Sequence, residues 1–304
     1  MSITLIALAV IAVLAFAAVE TTSTLSDLIQ EEIQKPLPPV KAQTLFYPGG
    51  PAHSILRVRD LTASPGGSSD FNKRGELTAH DVVEGEEHNV IQNVGNTSVN
   101  VPATESQINT LITNKTLREL ATSARDRMTT EVQDHKVAHG EKFDVAVFSL
   151  FSSLTEGAAD TGDPITISDC EAAVAKMREL EAPGPWVGFL SETQWHDLAT
   201  EASSALSDAS QSGDIGEEYW RNYEIKRFLN VTWFISTNVQ NDGTDDYGAI
   251  LSPRAIGAVL KLYPMQYDTE YQQLRRGTLC TSVTDWGVGV VEDDMGVYIQ
   301  TSAT

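Results

Sequence analysis

The 304-residue chain is short of cations. It has 21 Lys and Arg against 42 Asp and Glu, a formal charge of −21. Gripping DNA or RNA by its backbone takes a clustered cationic surface that releases counterions, and no stretch of this sequence supplies one. Cysteine is scarce too. Cys170 and Cys280 make neither a metal-ligand spacing nor a disulfide framework. One long-range disulfide between them is open; two separate buried thiols are the expectation, since free cysteine behaves as a small hydrophobe. There is no phosphate loop and no Gly-x-Ser-x-Gly elbow. Gly287-Val288-Gly289 sits inside a strand pattern with no helix after it, which excludes a dinucleotide turn. Apolar content is ample. With 41% hydrophobic residues, five Trp, eight Tyr and nine Phe, a disordered acidic tail is excluded. The length suits about two ordinary domains or one elaborate one.

Long apolar runs are few, and the one that exists is N-terminal. Ile3 to Val19 is 17 residues without a charge. Three readings compete. A secretory signal would use Ala15-Phe16-Ala17 for cleavage, but no Lys or Arg precedes the run. A membrane helix would span only about 25 Å of a ~30 Å hydrocarbon core, and it lacks flanking cations to orient it. The expected reading is a buried arm packed against other protein, with Leu8 and Val13 among its contacts.

Thr24 and Asp27 resemble a capping box for a short helix, Leu25 to Ile33, stopped at Lys35-Pro36-Leu37-Pro38-Pro39. Ile55 to Leu61 alternates, with Arg57 and Arg59 on one face and Leu56 and Val58 on the other, which is strand periodicity. Thr62 to Gly75 reads as a loop and Leu77 to Val90 as the returning strand. Such a two-stranded ribbon is marginal alone, so it is expected to lie on its own domain or on a neighbouring subunit. Ser98 to Pro102 is strand-like. From Leu117 to Leu154 apolar residues and two histidines recur every three or four positions, one face of an amphipathic helix. Unbroken, it covers 38 residues and about 57 Å; Gly140 is a possible kink and Ala121–Ala124 a possible separate helix.

Beyond residue 160 helix and strand patterns alternate. Ser168 to Glu171 reads as a capping box before a helix from Ala172 to Glu181. Pro183-Gly184-Pro185 stops it, and Trp186 to Leu190 is a buried strand. Ser191 to Gln194 is a second capping box, before a helix to about Ser203. Phe228 to Val239 reads as one strand, Asn241 to Asp246 as an acidic turn, and Ser252-Pro253 as the cap of a helix to about Lys261. Met265 to Gln273, Leu279 to Val291 and Gly296 to Thr301 are extended.

Candidate chemistry is thin. His135 and His139 are four apart with Glu131 a turn earlier, but Lys136 stands where a metalloprotease helix needs Glu. Two half-buried helix histidines are expected. His80 and His88 have no third ligand in reach. Asp242, Asp245 and Asp246 lack the full loop and distal Glu of a calcium-binding hand, and read as a solvated turn. Three glycosylation triplets begin at Asn96, Asn114 and Asn230. The sequence points to no enzyme, cofactor or metal.

The order of these stretches resembles the major capsid protein of tailed bacteriophages, the Hong Kong 97-type capsid fold shared with encapsulins. The resemblance rests on four stretches. Thr21-Thr22-Ser23-Thr24-Leu25-Ser26-Asp27-Leu28-Ile29 resembles the Thr-rich opening. Leu117-Arg118-Glu119 through His139-Gly140-Glu141 to Phe148-Ser149-Leu150-Phe151 resembles the short helix and the spine helix. Pro183-Gly184-Pro185-Trp186-Val187 through Gln194 resembles the start of the axial domain. Ala249 to Gly257, Tyr271 to Thr278 and Trp286-Gly287-Val288-Gly289-Val290 resemble the return into the peripheral domain. No single motif is diagnostic.

The resemblance implies a mixed α/β (α+β) plate. Its parts would be an N-terminal arm (1–52), an extended loop (53–92), a peripheral domain with the spine helix (93–160), an axial domain (161–262) and peripheral strands (263–304). It implies a virion shell subunit assembled in host cytoplasm into hexamers and pentamers, enclosing double-stranded DNA, with no membrane and with portal, scaffold and decoration proteins as possible partners. Arg57, Arg59, Asp70, Lys73, Arg74, Leu8, Val13, Asp242, Asp245 and Asp246 become candidate interface residues. Some relatives crosslink an extended-loop Lys to a peripheral Asn. Lys73 is the one Lys in this loop and residues 262–304 contain no Asn, so a non-covalent shell is expected. An encapsulin and a membrane-anchored acidic binding protein are the alternatives. Residues 160–250 hold 5 basic and 17 acidic residues; Asp208–Glu218 and Asp242–Asp246 are expected to face solvent or the capsomer centre, so DNA would be confined by geometry and not gripped.

Overall fold

The computed structural model describes residues 44–47, 50–75, 77–81, 92–119, 124–158, 162–205 and 227–303. The readings of Ile3–Val19, Leu25–Ile33, His88 and Asp208–Glu218 lie outside them, as do Leu8 and Val13. The helices are α1 (Asn114–Glu119), α2 (Ala124–Phe148), α3 (Ile167–Glu179) and α4 (Glu192–Ala205). The strands are β1 (Arg57–Asp60), β2 (Ser68–Arg74), β3 (Asn96–Pro102), β4 (Thr104–Thr113), β5 (Glu156–Ala158), β6 (Val187–Leu190), β7 (Arg227–Phe228), β8 (Val231–Ile235), β9 (Asp245–Leu251), β10 (Ile256–Gln272), β11 (Gly277–Val290) and β12 (Gly296–Ser302). They form sheets ordered β1-β10-β11-β4 and β5-β12-β9-β6-β8-β7, and a separate pair β2-β3.

The chain divides into two compact units, and α2, β10 and β11 each contribute to both. Among the described residues the first unit holds 105–140 and 262–284. Its core is Ile112, Val132, Met265, Tyr267 and Cys280, with Met128 against it. Thr113 caps α1 by accepting the Thr116 N–H at 3.2 Å. Helix α2 is 25 residues long, and it runs through Gly140 without a break. It stops at Phe148, short of the predicted Leu154, because the chain tightens into a 3-10 turn over Phe151–Ser153.

The second unit holds 43–104, 141–261 and 285–304. Strand β9 is its central strand, paired antiparallel to β12 from Gly296↔Leu251 to Ser302↔Asp245 and to β6 on its other side. Cys170, Ala173, Val174 and Met177 of α3 and Trp195 and Leu198 of α4 pack with Leu190, Val231, Trp233, Ile250, Val297 and Ile299. Burying this much apolar surface is the main stabilising term. A second cluster is aromatic: Phe189 lies 4.6 Å from Phe46, 6.0 Å from Phe148, 5.8 Å from Phe151 and 5.9 Å from Phe234, between ring centroids. Both cysteines are free and buried, and burial pushes the Cys170 thiol up to about 12.

The capping box Ser191–Gln194 forms as expected: the Gln194 N–H donates to Ser191 Oγ at 3.0 Å, and the Ser191 N–H to Gln194 Oε1 at 3.1 Å. The other lies two residues earlier than predicted, between Thr166 and Asp169, because Thr166 is the residue with extended backbone that its neighbours need for a cap. Phe228–Val239 is not one strand: Leu229 and Asn230 take left-handed backbone and turn β7 back onto β8. Nor does Ser252-Pro253 open a helix. Its hydroxyl donates to the Pro183 carbonyl at 2.7 Å, and residues from Ile256 on run as the 17-residue strand β10. An apolar run buried on both faces has no periodicity to separate strand from helix.

The predicted ribbon also re-pairs. Strand β1 lies parallel to β10, Arg57↔Gly257 to Asp60↔Leu260. The ribbon is β2 with β3, Ser68↔Pro102 to Arg74↔Asn96, so the stretch read as a loop holds one of its strands, and 77–81 is not strand. Alternation shows that a segment is a strand but not which strand it meets.

Candidate functional site

Among the described residues no group of His, Cys, Asp and Glu is placed to hold a metal ion. The charged residues singled out in the sequence concentrate instead at the root of the β2–β3 ribbon. Phe71 is fully buried there, with Val101, Val259 and Val291 around it. The Arg57 and Arg59 guanidiniums lie over its ring, 5.7 and 5.2 Å from the centroid, the cation–π arrangement that shields an apolar plug with charge. Their common face is the one that strand alternation predicted. Arg59 donates to Ser69 Oγ at 3.3 Å and Arg57 stands 3.8 Å from Glu292. Lys73 reaches the turn before β12, 2.9 Å from Asp294 and 3.7 Å from Asp293, and the hydrogen bond to Asp294 raises its ammonium above the usual range. Arg74 is the last residue of β2. Asp70 accepts from Asn100 across the ribbon at 2.6 Å.

Glycine answers a close approach here. A Cβ at Gly287 of β11 would overlap the Pro102 carbonyl, and one at Gly289 would press Val101 at 3.0 Å. These glycines let the end of β3 lie against β11, so the Gly-x-Gly is a packing device of the ribbon root. On β3, opposite β2, Asn96 to Ser98 and Asn100 are exposed, as are Leu77 to Asp81 beyond the strand pair.

The acidic turn differs from expectation. Asp242 is exposed and its Oδ1 accepts the N–H groups of Thr244 and Asp245 at 2.9 and 2.8 Å; those bonds hold its carboxyl below the usual range. Asp245 and Asp246 are buried. Asp245 accepts from Gly162 N at 3.1 Å and Gln300 Nε2 at 2.8 Å, and Asp246 from Asn241 Nδ2 at 2.8 Å and Ser191 Oγ at 2.5 Å. Their oxygens are spent inside the chain, which corrects the reading of a solvent-facing turn: β9 begins at Asp245 and carries both into the sheet.

His135 and His139 are buried, not half-buried. His139 lies 2.9 Å from Ser282 Oγ through Nε2 and 3.2 Å from Thr284 Oγ1 through Nδ1. His135 Nε2 lies 3.0 Å from Thr110 Oγ1 and 3.9 Å from Glu131.

Sequence reasoning missed two residues. Phe71 was hidden inside a polar stretch. Asp144 lies on the buried face of α2 beside Phe143 and Val147, and an acid in an apolar helical stripe was the available signal. Its carboxylate accepts three successive backbone N–H groups, from Leu45, from Phe46 at 2.9 Å and from Tyr47 at 3.2 Å. Burial pushes it up to about 7, against the pull of those three donors. It fixes the segment that enters the fold from the N-terminal side.

No protein-family model and no curated protein matches the chain. Solved structures do. A chain from Mycobacterium phage Che8 superposes with a TM-score of 0.65 at 16% identity, over 81% of this chain and 89% of that one. The capsid of cyanophage P-SCSP1u gives 0.60 at 14%, over 82% and 87%. The acid-stable capsid of Helicobacter pylori bacteriophage KHP30 gives 0.62 at 9%, over 86% and 91%. The mixed α/β chain described above therefore has the fold of bacteriophage capsid chains.

Proposed function

We propose that this protein is the major structural subunit of an icosahedral phage shell, that it assembles with copies of itself into hexamers and pentamers around double-stranded DNA, and that it has no catalytic role. The observation that carries the reading is likeness over more than four-fifths of both chains to bacteriophage capsid structures. Two features support it. Among the described residues the β2–β3 ribbon is a sheet of two strands that pairs with no third, the marginal design expected of an arm that gains its partner on assembly. At the turn between β10 and β11 Leu274 is fully exposed and Tyr271 more than half exposed, apolar surface of the kind a subunit contact covers. The ribbon would lie over the next subunit, in head-to-tail contacts that close into rings. Arg57, Arg59 and Lys73, which hold the ribbon root, and Asp70 and Arg74 beside them on β2 are its interface residues. The shell is non-covalent.

Negative-stain microscopy of the expressed full chain tests this. Uniform icosahedral particles or free capsomers are expected; a monodisperse monomer that never assembles would overturn it. On a denaturing gel, assembled particles should run as one monomer band, and a ladder would overturn the non-covalent part.

A further inference from the structure

We propose that His135 makes the first unit acid-labile: it is packed as a neutral imidazole, and proton uptake there loosens α2 from the strands it lies on. The side chain is 2% exposed. From β4, Thr110 Oγ1 meets Nε2 at 3.0 Å; from β10, the Tyr267 ring centroid lies 5.5 Å from that of His135. Nδ1 is buried and meets no hydrogen-bond partner. A neutral ring suits this setting. Its Nε2–H has Thr110 to donate to, and bare Nδ1 needs only to be an acceptor left idle. A second proton turns Nδ1 into a buried donor with nothing to receive it, the more costly kind of unmet group because it is charged.

The surrounding charges do not resolve that conflict. On α2, Glu131 stands on the Nε2 side and is already 3.2 Å from Arg127; Asp134 adds a weaker pull. On β10 and β11, Tyr267 and Cys280 are titratable but held neutral, both pushed up by burial. His139, one turn on, differs in kind. Both its nitrogens face hydroxyls, Ser282 and Thr284, which rotate to donate or to accept. Burial lowers the His135 imidazole from its ordinary 6.5, more than Glu131 and Asp134 raise it. The unfolded chain therefore takes up the proton first. The contribution is full above the unfolded value of about 6.5 and is lost as pH falls from there through the lower folded one.

Hydrogen exchange on the full chain at about pH 7.5 and about pH 5.5, corrected for the intrinsic rate, reads this directly. Peptides covering 127–139 and 262–284 should lose about tenfold in protection on acidification in the wild type and retain it in His135→Gln, while peptides covering 187–199 change in neither. Unchanged wild-type protection, or an equal loss in His135→Gln, would overturn the proposal. Should the variant fail to fold, an NMR titration of the wild-type His135 ring decides: a midpoint below 6.5 supports it and one at or above that value sinks it.

Discussion

The two units bury different things. The second unit is closed by rings and aliphatic chains, with Phe189 touching four other phenyl rings, and where it buries carboxylates it saturates them with donors from its own backbone and side chains. The first unit has a small apolar cluster flanked by directional polar contacts: His139 to Ser282 and Thr284, Ser106 to Thr284 at 2.9 Å, His135 to Thr110. Apolar burial is non-directional and indifferent to pH. Buried hydrogen bonds specify geometry, yet each becomes a cost when one partner changes protonation state. The contrast predicts a second unit that resists acid and a first unit that responds to it.

The largest expected effect is Phe189→Ala. Emptying a site ringed by four phenyl groups should cost about 3–5 kcal/mol, read as a lower denaturant midpoint. Val132→Ala in the first unit removes fewer carbon atoms and should cost clearly less; equal losses would break the comparison. Next is Asp144→Asn. The amide presents N–H groups to backbone N–H groups, leaving at least one of three buried donors unmet, at about 1–3 kcal/mol. The pH dependence has a definite sign. The folded carboxyl titrates near 7 and the unfolded one near 3.8, so the folded state binds the extra proton between those values. That contribution is full below about 4 and is lost as pH rises through about 7. Thermal unfolding of the wild type should gain from acidification in that window relative to Asp144→Asn. This is opposite in sign to His135, and a variant that tracks the wild type at every pH would refute it.

How much of this was legible differs by region for the same physical reason. The spine of α2 was read well because one face is buried and the other wet, which writes a 3.6-residue period. Ser191 and Gln194 were read because a cap is a local signal. The first part of strand β10, to about Lys261, was misread as a helix because Ile256 to Leu260 is buried on both faces and writes no period, whereas Met265 to Gln273 was read as extended. The ribbon was assigned to Ile55–Val90 because partner choice is non-local: nothing near Val58 says that Ala258 lies beside it. The root residues Arg57, Arg59 and Lys73 were picked as charged members of an extended loop. That they surround Phe71 and the turn at Asp293 depended on contacts more than 200 positions apart in the case of Lys73. Asp245 and Asp246 were misplaced because composition does not show which acids a sheet draws inward.

The smallest expected effect sharpens the comparison at the ribbon. Lys73 is about one-third exposed, and its partners Asp293 and Asp294 more so, so solvent and salt screen the pair. Lys73→Met should change global stability by less than about 1 kcal/mol. The local effect should be larger in kind. With the ammonium gone, Phe71 still plugs the root, but the turn at Asp293–Met295 is no longer tied to β2. Hydrogen exchange in 68–74 and 96–102 should then rise while 187–190 stays protected. Raising the salt on the wild type should reproduce part of that rise, since the pair is electrostatic. A ribbon whose exchange ignores both the substitution and the salt is held by Phe71 and Val101 alone, and the second unit would then rely on apolar burial even at its most exposed part.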